Sequence, residues 1–327
     1  MTELQTTPAA GRRNGLPMGD GVEDRLEAHR RELTGYCYRM LGSSFEAEDA
    51  VQDTMVRAWR GIDRFEGRAQ LRSWLYRIAT NVCLDMLNGR QRRARPMDLG
   101  PSREPVVENL NTLPEVTWIE PIPDPADVAV ERDTIRLAFV AALQHLPPRQ
   151  RAVLILCEVL RWKASEVAEL LETSVASVNS ALQRARATLE TANVHDAGGG
   201  EVDRVLLDRY VAAFEAYDLE ALTALIAEDA TQSMPPFDLW LTGRDDIFEW
   251  WYGPGIGCKG SRVIPAPAGQ ANGAPAFGQY KPSPGGGYEP WALQVVEFRN
   301  GKIGELTFFL DTERLFPLFG LPLQLGA

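Results

Sequence analysis

The sequence predicts a multidomain chain: two all-α helical blocks, the second carrying a helix-turn-helix, followed by a smaller α+β unit. Three observations carry that reading. Apolar residues recur at three- and four-residue spacing through residues 22–95 and again through 133–191. A segment rich in proline and acid separates the two blocks. After Gly198-Gly199-Gly200 the pattern turns to strand-like runs, two of which are joined by Asn300-Gly301.

In chain order, residues 1–20 are polar, lack the apolar stretch of a signal peptide, and read as a disordered leader. Residues 21–95 form the first block. Leu26, Leu33, Tyr36, Cys37, Met40 and Leu41 mark one helix, which Gly42-Ser43-Ser44 breaks. A second helix begins near Phe45 and runs past Trp59. A polar loop holds Phe65 and Gly67, and a third helix runs from about Leu71 to Asn88. Residues 96–132 contain seven Pro between 96 and 125 and predict an extended linker. Residues 133–194 resume the helical pattern, with Pro147-Pro148 opening a helix. Residues 195–203 read as a Gly-rich joint. In 204–327, Val205, Leu206, Tyr210, Phe214, Leu219, Leu222 and Leu225 mark a helical hairpin; the runs 293–299 and 302–310 flank the Asn-Gly turn. Helices packed on a curved antiparallel sheet are expected there.

Charge and composition narrow the function classes. The chain of 327 residues carries a net charge of −11, which argues against a generic nucleic-acid binder. The distribution argues otherwise: net +3 over 1–95, −7 over 96–135, +1 over 136–200 and −8 over 201–327. DNA-facing and non-DNA-facing parts fit that asymmetry. No apolar run approaches the ~20 residues that span a bilayer, so the reading is a cytoplasmic protein with no membrane partner. Cys37, Cys83, Cys157 and Cys258 form no Cys-x-x-Cys pair, and the three His stand far apart, so no metal or cofactor is expected.

Three motifs carry chemistry. The run from Lys163 to Leu189 reads as a helix-turn-helix with Glu172-Thr173-Ser174 as its turn. The outward residues of its second helix are Ser177, Asn179, Ser180, Gln183, Arg184 and Arg186, short hydrogen-bonders early and cations late. That order suits a helix whose start enters the major groove and whose end lies beside phosphates; a solvated face of an ordinary bundle is the alternative. In the run Glu46 to Trp59, Asp49 and Asp53 sit at i,i+4. Such a like-charge pair is unfavourable in an isolated helix and reads either as a solvated face or as a stripe for a basic partner. Finally, Trp74, Tyr76, Arg77, Asn81 and Asp85 lie along one helix, followed by Arg90, Arg92, Arg93 and Arg95. Aromatic side chains beside cations suit unstacked bases and a phosphate backbone.

The ordered set resembles a known family. Glu46 to Trp59, Phe65-Glu66-Gly67, Trp74 to Asn81 and Asp85 resemble region two of extracytoplasmic-function sigma factors. Leu146 to Arg151, through Arg184-Ala185-Arg186, resembles their region four. The resemblance implies core RNA polymerase as partner, through the β′ clamp helices and the β flap, and promoter DNA. It assigns Glu48, Asp49, Gln52, Asp53 and Arg57 to clamp-helix docking. Phe65, Trp74, Arg77 and Asn81 fall to capture of a flipped minus-ten base, Arg90, Arg92 and Arg93 to DNA binding beside them, and the 175–186 helix to reading the minus-thirty-five element. The acidic segment occupies the place of the one that threads the RNA exit path; a solvated tether is the alternative. There are departures: Glu172 stands where Gly is usual, Asn179 and Ala181 where a basic residue is frequent, and Asn88-Gly89 interrupts the usual Arg run.

The C-terminal unit is similar to the SnoaL-like group of the nuclear-transport-factor-two-like fold, through Tyr210 to Phe214 with Asp218 and Leu219, Met234-Pro235-Pro236 and Trp240 to Arg244. The run Trp118 to Asp124 is similar to the sigma factors that carry such a domain. The resemblance implies a cone with a pocket, for which Asp238, Trp240, Arg244, Trp251, Tyr280 and Trp291 are candidate lining residues. The expectation is a non-enzymatic sigma factor that initiates transcription and is modulated by its C-terminal domain, with no anti-sigma partner nameable. The rivals are a ligand-sensing helix-turn-helix regulator, and a SnoaL-like cyclase or hydrolase fused to a DNA-binding module. A simple repressor needs neither the Asp49/Asp53 helix nor the Trp74–Asp85 helix; paired carboxylates in the pocket would favour the enzyme.

Overall fold

The computed structural model describes residues 21–65, 70–124, 136–191, 204–255 and 259–326, leaving aside the side chains of Arg64 and Thr191. The expected leader and Gly-rich joint, Gly67 and Cys258 lie outside the described residues.

The first block is α1 (Val22–Glu27), α2 (Arg30–Leu41), α3 (Ser44–Gly61) and α4 (Leu71–Leu87). Gly42 ends α2 because it takes the left-handed φ of 74°, from which its N–H reaches the Tyr38 carbonyl at 2.7 Å. Ser43 then caps α3, its hydroxyl accepting from the Glu46 N–H at 3.2 Å. Ala47, Ala50 and Ala58 on α3 are buried and small, which lets the helices approach closely around Leu33, Tyr36, Met40 and Leu75. The Tyr36 and Thr80 hydroxyls meet at 2.8 Å inside that core.

The second block is α5 (Leu137–Gln144), α6 (Pro148–Leu154) with a π turn over Ile155–Val159, α7 (Ala164–Leu170) and α8 (Val175–Thr191). Pro at the first position of α6 sacrifices no helical hydrogen bond. The blocks are packed together. Arg151, only 3% exposed, donates to the Met40 carbonyl of α2, to Gln144 Oε1 at 2.6 Å and to the Leu146 carbonyl at 3.1 Å. Burial lowers its guanidinium to about 10. Tyr76 and Trp162 stack obliquely at 5.1 Å between α4 and the turn before α7.

The C-terminal unit has helices α9 (Arg204–Ala216), α10 (Leu219–Leu225), α11 (Arg244–Tyr252) and α12 (Thr312–Leu318). Its strands are β1 (Ile226–Ser233), β2 (Trp240–Thr242), β3 (Arg262–Ala271), β4 (Ala274–Pro282), β5 (Tyr288–Arg299) and β6 (Lys302–Phe309), arranged in the order β2-β1-β6-β5-β4-β3. The β1–β6 pair is parallel and the others antiparallel. Asn300-Gly301 makes the expected hairpin, both residues at positive φ; Asn272-Gly273 makes a second one between β3 and β4. Strand alternation sorts side chains to two faces. Ala292, Val296 and Phe298 join the core with α9, α10 and α11, whereas Leu293 and Val295 share a core with α12 and both helical blocks. The outer face of the sheet is thereby covered by the helical part of the chain.

The segment between the blocks holds three short 3-10 turns and is pinned along much of its described length. Bridges join Ala94 to Trp118, Thr112 to Phe237 and Pro123 to Ala271. Trp118, Ile119 and Ile122 are buried. Glu120 is buried too, accepting from the Ser43 hydroxyl and facing Arg314 at 3.5 Å. Burial raises its carboxyl above the usual range, against the Ser43 bond and the Arg93 charge.

Candidate functional site

The outward face of α8 is largely exposed. Val178 and Ala185 are buried, and the i, i+7 spacing between them leaves Ser177, Asn179, Ser180, Gln183, Arg184 and Arg186 exposed. Ser174 starts the helix, its hydroxyl accepting from the Ser177 N–H at 3.1 Å. Arg184 lies on Ser180 at 2.6 Å, and Arg186 pairs with Glu158. The Arg186–Glu158 contact is an exposed ion pair, a weak kind of interaction. Glu172 in the turn takes φ 51°, the left-handed conformation that explains why glycine suits this position.

On α4 the picture differs. Phe65 and Trp74 stack at 5.1 Å, and Asn81 is exposed. Arg77 is engaged by the helix-turn-helix: it donates to the Glu169 carbonyl at 3.2 Å and lies 3.7 Å from the Glu172 carboxylate. The arginines beyond α4 divide. Arg90 pairs with Glu46, and Arg92 lies on His145. Burial, then the Arg92 charge, lowers the His145 imidazole. Arg93, expected among the DNA-facing cations, is buried: it donates to the Trp118 and Glu115 carbonyls and pairs with Glu46 at 3.0 Å. In this conformation the 115–118 stretch covers it, so it staples the inter-block segment and does not face solvent.

On α3, Glu48, Asp49 and Gln52 are exposed, while Asp53 pairs with Arg57 at 2.8 Å. Val56 and Trp59 continue the same face, 40% and 58% exposed. Their apolar surface beside carboxylates was not singled out from the sequence, although the i, i+4, i+7 spacing from Gln52 signals it.

The pocket candidates separate as well. Trp251 and Trp291 line a cavity of about 200 Å³ on the inner face of the sheet. Tyr280 does not: it is on the outer face against Phe316, its hydroxyl donating to the Pro322 carbonyl at 2.9 Å. Arg244 holds the Thr223 carbonyl at 3.1 Å, and Asp238 and Trp240 tie down the inter-block segment through Arg103 at 2.5 Å and the Gly100 carbonyl at 2.8 Å. Behind the sheet, Glu297 and Glu305 are directly opposed on β5 and β6 and both buried; Arg136 pairs with Glu297. Burial, reinforced by Glu305, pushes the Glu297 carboxyl up to about 7 despite Arg136. Among the described residues no cluster of three or more His, Cys, Asp or Glu is placed to hold a metal, and no helix is long and apolar enough to cross a membrane.

Known proteins share this layout. The Sigma-70 region 2 family matches residues 26–93, the Sigma-70 region 4 family 136–189, and the SnoaL-like domain family 207–306. The ECF RNA polymerase sigma factor SigG of Mycobacterium tuberculosis is 45% identical over 311 residues, covering 90% of this chain and 82% of SigG. SigW of Bacillus subtilis is 30% identical over 171 residues, 52% of this chain and 87% of SigW. The crystal structure of the M. tuberculosis sigma factor SigJ has the same fold, with a TM-score of 0.58 at 22% identity over 92% of this chain and 99% of SigJ. With sigma regions two and four in order, a SnoaL-like domain behind them and a relative of 45% identity across nine-tenths of its length, the chain belongs to the ECF RNA polymerase sigma factors.

Proposed function

We propose that this sigma factor docks on core RNA polymerase through the α3 face of Glu48, Asp49, Gln52, Asp53 and Arg57, with region four on the β flap. The exposed face of α8 reads the minus-thirty-five element. Phe65, Trp74, Arg77 and Asn81 capture the melted minus-ten strand, with Arg90 and Arg92 beside its phosphates. The C-terminal domain acts on the sigma regions by holding them together, and release of that contact is the step that exposes the α4 surface.

The observation that carries this reading is the engagement of Arg77 by Glu169 and Glu172. A residue proposed for promoter melting is occupied by the turn of the promoter-reading module. Transcription in vitro, with core polymerase and genomic promoter fragments, tests the proposal. The expected result is promoter-specific initiation that disappears when Asp49→Lys and Asp53→Lys are combined. Full activity in that double variant refutes the docking face.

A further inference from the structure

The inner cavity of the C-terminal domain is closed by residues from outside that domain. Trp250, Trp251, Trp291 and Phe308 form its walls, and Gln232 and Gln279 place amide groups among them. Val107 and Leu110 complete the lining, and both belong to the segment between the sigma regions. We infer that the cavity binds a neutral aromatic molecule of one or two fused rings, and that occupancy holds the inter-region segment on the C-terminal domain.

The chemistry follows from the walls. A dry cavity of about 150 Å³ is enough to take benzene, and this one, at about 200 Å³, is larger. Indole rings favour a flat partner through offset and edge contacts. No lining residue is charged, so an ionised ligand would be desolvated without compensation. The Gln232 amide supplies an anchor for a hydroxyl or carbonyl, while the Gln279 amide is held within the protein. Gln232 is oriented by accepting from Trp251 Nε1 at 2.6 Å, and Gln279 by Gln294 at 2.9 Å and Ser261 at 3.0 Å.

The coupling follows from the lid. Val107 is 52% exposed, so it closes the cavity loosely. The flanking backbone is fixed to the domain: the Asn111 carbonyl accepts from Asp238 N–H at 3.0 Å, and Leu113 N–H donates to the Pro236 carbonyl at 3.0 Å. Five residues beyond Leu113, Trp118 is buried and its carbonyl accepts from Arg93. The lid contributes wall surface only while the segment lies down. A ligand therefore binds the docked form more tightly and shifts the population toward it. Resting on the proposed holding role of the C-terminal domain, the sign is repression: bound ligand lowers promoter-dependent transcription.

Calorimetric titration of the full chain with indole, naphthalene and 2-naphthol tests the site without polymerase. The expected result is one-to-one binding by at least one probe, weakened roughly tenfold by combining Val107→Ala with Leu110→Ala, the loss of about 1.4 kcal/mol of lid contact. No binding by any of the three up to about 1 mM, or equal binding by the lid variant, overturns the site. In transcription the binding probe should lower output from the parent chain and less so from the lid variant. A probe that binds but leaves output unchanged or raises it overturns the coupling. A chain that fails to initiate transcription under every condition instead overturns the proposed function and leaves the titration result intact.

Discussion

Asn272, at the tip of the β3–β4 hairpin, donates from its side-chain amide to the hydroxyl of Tyr38 on α2 at 2.7 Å, across 234 residues of sequence. The same Tyr38 hydroxyl donates to the Glu120 carbonyl at 2.8 Å, and Asn272 Oδ1 accepts from the Ile122 N–H at 3.0 Å. Sigma region two, the inter-region segment and the C-terminal domain thus meet at one buried polar node, where Asn272 is 1% exposed. Burial raises the Tyr38 phenol well above its ordinary value, so it remains a neutral donor.

That node predicts a measurable cost. Tyr38→Phe removes the hydroxyl that bonds the Glu120 carbonyl and the Asn272 amide in a buried place, which costs about 1–3 kcal/mol. Denaturant unfolding should show the loss. Because the same bonds hold the domains together, the variant should also initiate transcription more readily than the parent. Lower stability without a gain in activity would separate the node from regulation.

The α3 face makes a different prediction. Trp59 is largely solvent-exposed, so Trp59→Ala should change stability by less than about 0.5 kcal/mol. Core polymerase affinity should nevertheless fall, because an exposed aromatic beside carboxylates is a favoured interface anchor. Co-purification with core polymerase, set beside a thermal melt, distinguishes an interface residue from a structural one.

On α8, Arg184 and Gln183 are both exposed but differ in chemistry. Arg184→Ala should weaken binding to every promoter and reduce the salt slope by roughly one unit. Gln183→Ala should change the ranking of promoters. Identical behaviour across a promoter panel would contradict the assigned docking.

The carboxylate pair behind the sheet predicts a pH dependence. Glu297, ordinarily near 4.5, titrates at about 7 in the folded chain through burial and its neighbour Glu305, with Arg136 and Arg95 opposing. Between these values the folded chain keeps a proton that the unfolded chain releases. This group's contribution to stability therefore falls as pH rises from about 4.5 to 7. Glu297→Gln is neutral throughout, so the parent should lose stability relative to it between pH 5 and pH 8. Denaturant midpoints at the two pH values measure this; a gap that widens toward acid contradicts it.

What was legible in the sequence was local. Asn300-Gly301 stood between alternating apolar runs and announced its hairpin; Asn272-Gly273 has the same turn, but Pro265, Pro267 and Pro275 break up the flanking strands. β1 reads Ile-Ala-Glu-Asp-Ala-Thr-Gln-Ser and has no strand pattern, because it gains its place from parallel pairing with β6. The α8 face followed from helical periodicity alone. The burial of Arg93 did not, since it depends on Glu46 and Trp118, which the chain brings together only in three dimensions. Counting aromatic residues found Trp251 and Trp291 but also Tyr280, whose neighbour Gln279 is the one that reaches the cavity. Composition does not report which face of a strand a residue occupies.

The central claim is that the sigma regions are held together in the free chain and separate on polymerase. Spin labels at Asn88→Cys and Glu190→Cys, both exposed, report the distance between the end of α4 and the end of α8 once Cys157 and Cys258 are replaced by Ser. The account predicts one narrow, short distance in the free chain and a much longer one with core polymerase bound. The same distance distribution in both states would contradict it.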